Sequence, residues 1–297
     1  MDESETEQNK DLGRQDASAP RDFLQQDAGA PRDLLQQDAG APRDLRGQDA
    51  GAPQAGVVIE NLTKRYEDLI AVDNLNLVVP RGEFLCFLGP NGAGKTTTIK
   101  MLTGLIKPTS GRAFIAGYDV QKDPVEAKRR IGYIPDHPYL YEKLSGREFF
   151  YFVGDLFSIP RPEQEQKLKL FLDMFGMHSA ADKLIENYSH GMRQKLVISA
   201  SLMHDPEVVI VDEPMVGLDP QSAKIVKNLF RQQTNLGRTV FLCTHVLSVA
   251  EELADRIGIF KNGRIIFLGT LAELRTRQHS DANLEELFLE LTESPDE

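Results

Sequence analysis

No apolar run in this sequence approaches the roughly 18 to 20 residues that a membrane-spanning helix requires, so no helix of the chain is expected to cross a bilayer. Basic residues are in the minority. Lys and Arg number 34 against 45 Asp and Glu, a net charge of −11, whereas a general phosphate-backbone binder carries a basic balance; no nucleic-acid partner is expected. Cysteine is scarce. Cys86 and Cys243 each sit inside an apolar run and read as small core residues in a reducing cytosol rather than as a disulfide. The N-terminus lacks an apolar h-region, which predicts no secretory signal. What is present is the composition of a globular chain, 41% apolar and 27% charged over 297 residues, enough for one large α/β domain or two ordinary ones.

Residues 1–55 differ in kind from the rest. An 11-residue unit starts at Asp16 (DASAPRDFLQQ), Asp27 (DAGAPRDLLQQ) and Asp38 (DAGAPRDLRGQ), with a truncated copy from Asp49. An 11-residue apolar repeat can mark a right-handed coiled coil, but Pro20, Pro31, Pro42 and Pro53 place a helix breaker in every unit. The period is also too short for the helical solenoids. With 12 acidic against 6 basic residues, the segment is expected to be a disordered acidic tail. It is either a solubilising extension or a tether for a partner, and a composition unable to bury a core favours the first.

From residue 56 onward the chain has the size of one large domain. The short continuous apolar runs Phe84–Leu88, Val208–Val211, Val240–Cys243 and Ile257–Phe260 suit strands buried on both faces, hence a parallel sheet. Helical spacing lies between and after them. Leu168, Phe171, Leu172 and Phe175 fall at i, i+3, i+4 and i+7, as do Val246, Val249, Ala250 and Leu253, and Leu284, Leu287, Phe288 and Leu291. Strands alternating with helices predict an α/β fold. Residues 57–88 carry alternating strands with turn signals and predict a smaller antiparallel section.

Gly89, Pro90, Asn91, Gly92, Ala93, Gly94, Lys95 and Thr96 match G-x-x-x-x-G-K-[ST] between the strand Phe84–Leu88 and a helical stretch Thr97–Leu105, the context this motif needs. Glycines let successive N–H groups face a phosphate, and the helix N-terminus adds a positive partial charge. Lys95 is expected to reach the β- and γ-phosphates of ATP, the Thr96 hydroxyl to bind Mg²⁺, and Thr97 to stand with them at the helix start. The alternative is a glycine-rich turn without a ligand. A second apolar strand, Val208–Val211, runs into Asp212, Glu213 and Pro214. Ions collect at the C-terminal ends of parallel strands, so Asp212 is expected to hold Mg²⁺ through water. Glu213 points differently, because side chains alternate, and is placed to polarise a water for attack on the γ-phosphate. Acids at strand ends can also be helix caps or solvated loop residues.

With these motifs in order, the sequence resembles the nucleotide-binding subunit of an ATP-binding cassette (ABC) transporter over about residues 57–276, closest to the ABC-2 type export branch. The resemblance implies a P-loop NTPase fold of the RecA-like kind: a mainly parallel core sheet, an antiparallel β-subdomain and an inserted α-helical subdomain at about 139–207, with a C-terminal helix at about 283–293. Tyr66 stands where the family has an aromatic that stacks on adenine; half-buried packing is its alternative reading. Tyr188-Ser189-His190-Gly191-Met192 occupies the place of the signature L-S-G-G-Q, keeping the serine and second glycine and replacing the other three residues. Asp219, in Gly217-Leu218-Asp219, resembles the D-loop aspartate, and His245, after the strand Val240–Cys243, resembles the switch histidine that contacts the γ-phosphate. Asp136 stands where the family has the Q-loop glutamine; it is one methylene shorter, adds a charge, and could still bind Mg²⁺ through oxygen.

The resemblance implies an ATPase in which Glu213, His245 and Lys95 carry catalysis. Two chains then meet head to tail, so that Ser189, His190 and Gly191 of each cap the ATP of the other. As residues alone, Ser189 could be a helix N-cap and His190 a surface histidine. It also implies that transport, in the export direction, runs through a separate membrane permease, with the ATPase dimer peripheral at the cytoplasmic face of the membrane. Aromatics among Phe149, Phe150, Tyr151, Phe152 and Phe157 would line a groove for a short permease helix, although a helix core accounts for most of them. Two other classes stay open at this point: a soluble ABC ATPase of translation or nucleic-acid maintenance, and a P-loop kinase. One phosphate loop, the absence of sustained heptads and the acidic charge weigh against the former, and the signature and switch segments against the latter. Lys100, Lys107, Lys128, Arg129 and Arg130 read as solvated surface.

Overall fold

The computed structural model describes residues 55–278 and 283–293, all within the compact unit Ala52–Glu297. The repeat-bearing tail, apart from Ala55, lies outside the described residues. Two long strands open the description, β1 (Ala55–Tyr66) and β2 (Leu69–Pro80). Val57, Ile59 and Leu62 on β1 and Val72, Leu75, Leu77 and Val79 on β2 are buried, while Asn74, Asn76 and Val78 between the latter face outward. That period of two suits an antiparallel sheet covered on one face. The sheet is completed by β4 (Ser110–Ile115) and β5 (Tyr118–Asp119), in the order β2-β1-β4-β5. The antiparallel section therefore draws on residues beyond 57–88, and β3 (Phe84–Leu88) belongs to a different sheet.

That second sheet is the core. β3, β6 (Ile131–Ile134), β7 (Val208–Asp212), β8 (Thr239–Cys243) and β9 (Arg256–Lys261) run parallel in the order β9-β3-β8-β7-β6, and β10 (Arg264–Gly269) adds an antiparallel edge beside β9. Every residue of β3, β7 and β8 is buried. Alternate side chains feed two apolar layers: Phe84, Leu88, Val209, Val211, Val240 and Leu242 on one face, Leu85, Phe87, Ile210 and Phe241 on the other. Cys86 and Cys243 are free and fully buried, and burial pushes both thiols well above the usual thiol range. Cys243 is the register partner of both Phe87 and Asp212, and Ile134 that of Val211. The C-terminal ends of β3, β8, β7 and β6 thus lie side by side, the edge at which an open parallel sheet collects ligands.

Helices cover the sheet: α1 (Lys95–Leu102), α2 (Pro124–Arg129), α6 (Pro220–Asn235), α7 (Leu247–Leu253), α8 (Leu271–Gln278) and α9 (Leu284–Glu293). Between β6 and β7 stand α3 (Gly146–Leu156), α4 (Arg161–Phe175) and α5 (His190–Leu202). A capping box starts α3: Ser145 Oγ accepts from Glu148 N at 3.2 Å, and Glu148 accepts from Ser145 N at 2.8 Å. Phe149 and Phe150 are core, as a helix interior requires, while Phe152, Tyr139 and Tyr141 are exposed, with Tyr141 edge-on to Phe152 at 5.4 Å. Arg130 is not solvated surface. Its guanidinium stacks on Tyr118 at 4.0 Å and pairs with Glu126 and Glu207, which tie α2 to β7.

His204, just beyond α5, stacks on Phe157 with ring centroids 3.7 Å apart. Its Nε2 reaches the Ile131 carbonyl at 3.0 Å, and its Nδ1 is buried without a partner. Burial pushes the imidazole from 6.5 down to about 4, so the folded state holds it neutral. A group depressed on folding contributes stability above its unfolded value and loses it as pH falls, here from 6.5 toward 4. Each full proton taken up by the unfolded chain costs about 1.4 kcal/mol per pH unit. His204→Phe, which keeps a ring on Phe157, is expected to show a smaller fall in Tm between pH 7 and pH 5 than the parent. Parallel Tm curves would remove His204 from the acid response.

Candidate functional site

A cleft of about 580 Å³ opens at the shared C-terminal edge of the core strands, within the range of small-molecule sites. Its floor is the loop between β3 and α1. Gly94 has φ +108, and a Cβ there would stand 2.2 Å from the Ala71 carbonyl oxygen, so no side chain fits between this loop and β2. Helix α1 begins at Lys95, two residues before the stretch read from sequence, and its first three residues line the cleft with N–H groups that have no partner within the helix. Lys95 is buried, and its ammonium donates to the carbonyls of Gly89 (2.6 Å) and Pro90 (3.0 Å), closing the loop on itself. Asn91, Gly92, Gly94, Lys95, Thr96 and Thr97 line the cleft, while Gly89, Pro90 and Ala93 form the back of the loop and are not among its lining residues.

Above the floor stand the acids. Asp212 ends β7 and accepts a hydrogen bond from the Thr96 hydroxyl. Burial raises its carboxyl, as do the neighbouring charges of Glu213 and Asp136, while the Thr96 hydrogen bond opposes them. Glu213 follows in the left-handed region at φ +48, an uncommon conformation for a side chain of this size, and its N–H is fastened to the Cys243 carbonyl at 3.0 Å. Both carboxylate oxygens are engaged: Oε1 faces His245 Nδ1 at 2.8 Å and Oε2 accepts from the Thr244 hydroxyl at 2.9 Å. Asp136 borders the same cleft and pairs with His137 Nδ1 at 2.8 Å.

The far wall is apolar. Tyr66, at the end of β1, is 45% exposed and lines the cleft with Leu69, Ile70 and Ala71 of β2 and with Val216. Asn262 and Gly263, the turn between β9 and β10, complete it. Gly263 donates to the Ala93 carbonyl at 3.0 Å and accepts from Asp73 N at 2.9 Å, so this turn bolts the phosphate loop to β2. Of these, sequence reading found Tyr66. Asn-Gly between alternating apolar residues is a strong hairpin signal that could have placed Asn262 and Gly263. Leu69, Ile70, Ala71 and Val216 carry no motif of their own.

Ser189, His190, Gly191 and Asp219 are not among the residues lining this cleft. Ser189 is the N-cap of α5, accepting from Met192 N at 3.3 Å. Asp219 is the N-cap of α6; the Ser222 hydroxyl and N–H hold its carboxyl well below the usual range, and Lys195 stands 3.4 Å away. The two segments touch: a Cβ on Gly217 would meet the His190 ring at 2.2 Å, and one on Gly191 the Gly217 carbonyl at 2.7 Å. Tyr188 is buried, its hydroxyl donating to the Ala180 carbonyl at 2.6 Å, which gives the ring that stands at the signature leucine a partner inside the helical subdomain.

Among the described residues no three His, Cys, Asp or Glu side chains converge as an all-protein metal cage. The donors facing the loop, the Thr96 hydroxyl and the carboxylates of Asp212 and Asp136, are hard oxygens. Mg²⁺ is held by one or two carboxylates together with substrate phosphates and water, so this donor set fits it.

The chain is similar to known proteins over most of the described residues. A family model described as ABC transporter matches residues 72–216. The linearmycin resistance ATP-binding protein LnrL of Bacillus subtilis (strain 168) is 37% identical over 222 residues, covering 75% of this chain and 71% of that protein. The daunorubicin/doxorubicin resistance ATP-binding protein DrrA of Streptomyces peucetius is 40% identical over 215 residues, covering 72% of this chain and 65% of that protein. Among solved structures, an ATP-binding subunit of an ABC transporter matches with TM-score 0.76 and 33% identity, over 79% of this chain and 98% of that one. The dimeric post-hydrolysis cassette MJ0796 bound to ADP and Pi matches with TM-score 0.67 and 26% identity, over 72% and 98%.

Proposed function

The chain belongs to the ABC transporter family as an ATP-binding subunit, an ATPase, and from that premise we propose how its cleft works and what it assembles with. One observation carries the reading: loop, acid pair and histidine converge at the adjoining ends of β3, β7 and β8. ATP lies with its base against Tyr66 and its phosphates on the N–H groups of Gly92 and of Gly94 to Thr97, where the start of α1 favours negative charge. Lys95 turns its ammonium to the β- and γ-phosphates. Thr96, Asp212 and Asp136 hold Mg²⁺, which when bound neutralises phosphate charge. Glu213 accepts a proton from the attacking water as its oxygen bonds the γ-phosphorus and the bridging P–O bond to ADP breaks. His245 turns from Glu213 to the γ-phosphate.

A second ATPase chain, the same or a related one, supplies Ser189, His190 and Gly191 across the nucleotide, as the start of α5 is suited to do. Contact of His190 with Gly217, and of Lys195 with Asp219, gives that segment a route to its own chain's acid pair. ATP binding closes the pair and hydrolysis opens it, a two-state element biased by the γ-phosphate. No described helix is long and apolar enough to cross a membrane. In the proposed assembly transport runs through a separate permease, with this chain peripheral at its cytoplasmic side. The exposed Tyr139, Tyr141 and Phe152 receive a short permease helix. Relatives named for antibiotic resistance favour export, and transporter subunits among the matches outweigh a soluble translation or nucleic-acid machine.

Purification of the tagged protein from detergent-solubilised native membranes tests the assembly. A stoichiometric multi-spanning partner, identified by mass spectrometry, is the expected outcome. Recovery from the soluble fraction with ribosomal, nucleic-acid or no partners would overturn the transport reading and leave the ATPase.

A further inference from the structure

We propose that Thr244 is a positioning residue for ATP hydrolysis: its hydroxyl holds one oxygen of Glu213, so that the other alone meets the attacking water. The inference rests on Glu213 as proton acceptor. Thr244 is 1% exposed and directly follows the buried strand β8. A hydroxyl carries one proton and accepts through its lone pairs. The Val246 N–H donates into Thr244 Oγ at 3.0 Å, which occupies the accepting side and directs the proton to Glu213 Oε2 at 2.9 Å. The backbones on both sides are fixed as well, Thr244 N to the Phe87 carbonyl at 3.3 Å and Glu213 N to the Cys243 carbonyl at 3.0 Å.

The two oxygens of Glu213 therefore differ in kind. Oε2 has a buried partner on a strand end that cannot rotate away without leaving polar groups unpaired. Oε1 has His245, whose side chain is 60% exposed and free to turn toward the cleft. When His245 leaves, Oε1 is released and Oε2 stays held, which keeps the carboxylate aimed although its backbone sits in a strained region at φ +48. One hydrogen bond thus selects which oxygen takes the proton.

The test measures steady-state ATPase kinetics of the full chain with Thr244→Val, Thr244→Ala and Thr244→Ser, beside Glu213→Gln. Removing one hydrogen bond to a charged group lowers kcat about 10-fold in the Val and Ala variants. KM for ATP and the calorimetric ATP affinity stay near parent values, and the latter certifies that each variant is folded. Serine restores kcat to within a few-fold. In the Glu213→Gln background, Thr244→Val costs nothing further. An unchanged kcat in Thr244→Val while Glu213→Gln is inactive would overturn the proposal. So would an equal loss in Ser and Val, since the hydroxyl would then not be the agent. Turnover retained by Glu213→Gln would instead overturn the reading of Glu213 itself.

Discussion

Replacing Glu213 with glutamine is expected to lower ATP turnover by about 10²- to 10⁴-fold, the contribution of a positioned proton acceptor, while ATP still binds. The amide keeps the length and shape of the side chain, so the strained backbone at φ +48 and the fastening to the Cys243 carbonyl need not change. What is lost is the negative charge and, at one of the two positions, the ability to accept. An amide placed with its oxygen toward Thr244 presents its NH₂ to the water, which it can only donate to. A variant that binds ATP and does not turn it over accumulates the closed pair, so its dimer fraction should rise with ATP and fall when the nucleotide is removed. Stopped-flow phosphate release measures the first effect and size-exclusion chromatography the second. Turnover near the parent rate would take the proton acceptor away from Glu213.

Lys95→Ala is expected to fail earlier, at binding. Its ammonium is the one lysine charge among the residues lining the cleft, and hydrogen bonds to charged groups are worth about 1.5–3 kcal/mol each. Calorimetric affinity for ATP should therefore weaken by about 10- to 100-fold. A second loss accompanies it, because the ammonium also closes the loop through the Gly89 and Pro90 carbonyls, and its removal leaves both acceptors to water. Unchanged affinity would contradict the role given to the loop. The two variants separate binding from chemistry, which activity alone cannot do.

The parts of this site written along the chain were legible in its sequence. The phosphate loop is contiguous, and Asp212 and Glu213 announce themselves as acids that end an apolar run. Buried parallel strands are short apolar blocks, so β3, β7, β8 and β9 stood out. Strands β4, β5 and β10 did not, because they are short or half exposed and their apolar alternation is weak. The apolar wall of the cleft escaped for another reason. Leu69, Ile70 and Ala71 reach it because β2 folds back on β1, and Val216 because of the turn after β7; neither is a local property. Arg130 was misplaced on similar grounds, since Tyr118 reaches it across the turn before α2 and Glu207 lies far along the chain. The Thr244–Glu213 hydrogen bond joins residues 31 apart and depends on side-chain orientation that no spacing encodes.

The turn at Asn262 and Gly263 bears on how the protein could be engineered. Tight polar turns at hairpin tips are ordinarily where tags, fluorophores and inserted domains are accommodated. This one carries the backbone bonds that join the phosphate loop to β2, from Gly263 N to Ala93 and from Asp73 N to Gly263. A peptide spliced in there would part the base wall from the phosphate cradle without altering a single residue of either. Nucleotide recognition in this chain therefore has a weak point more than 160 residues downstream of the motif that announces it.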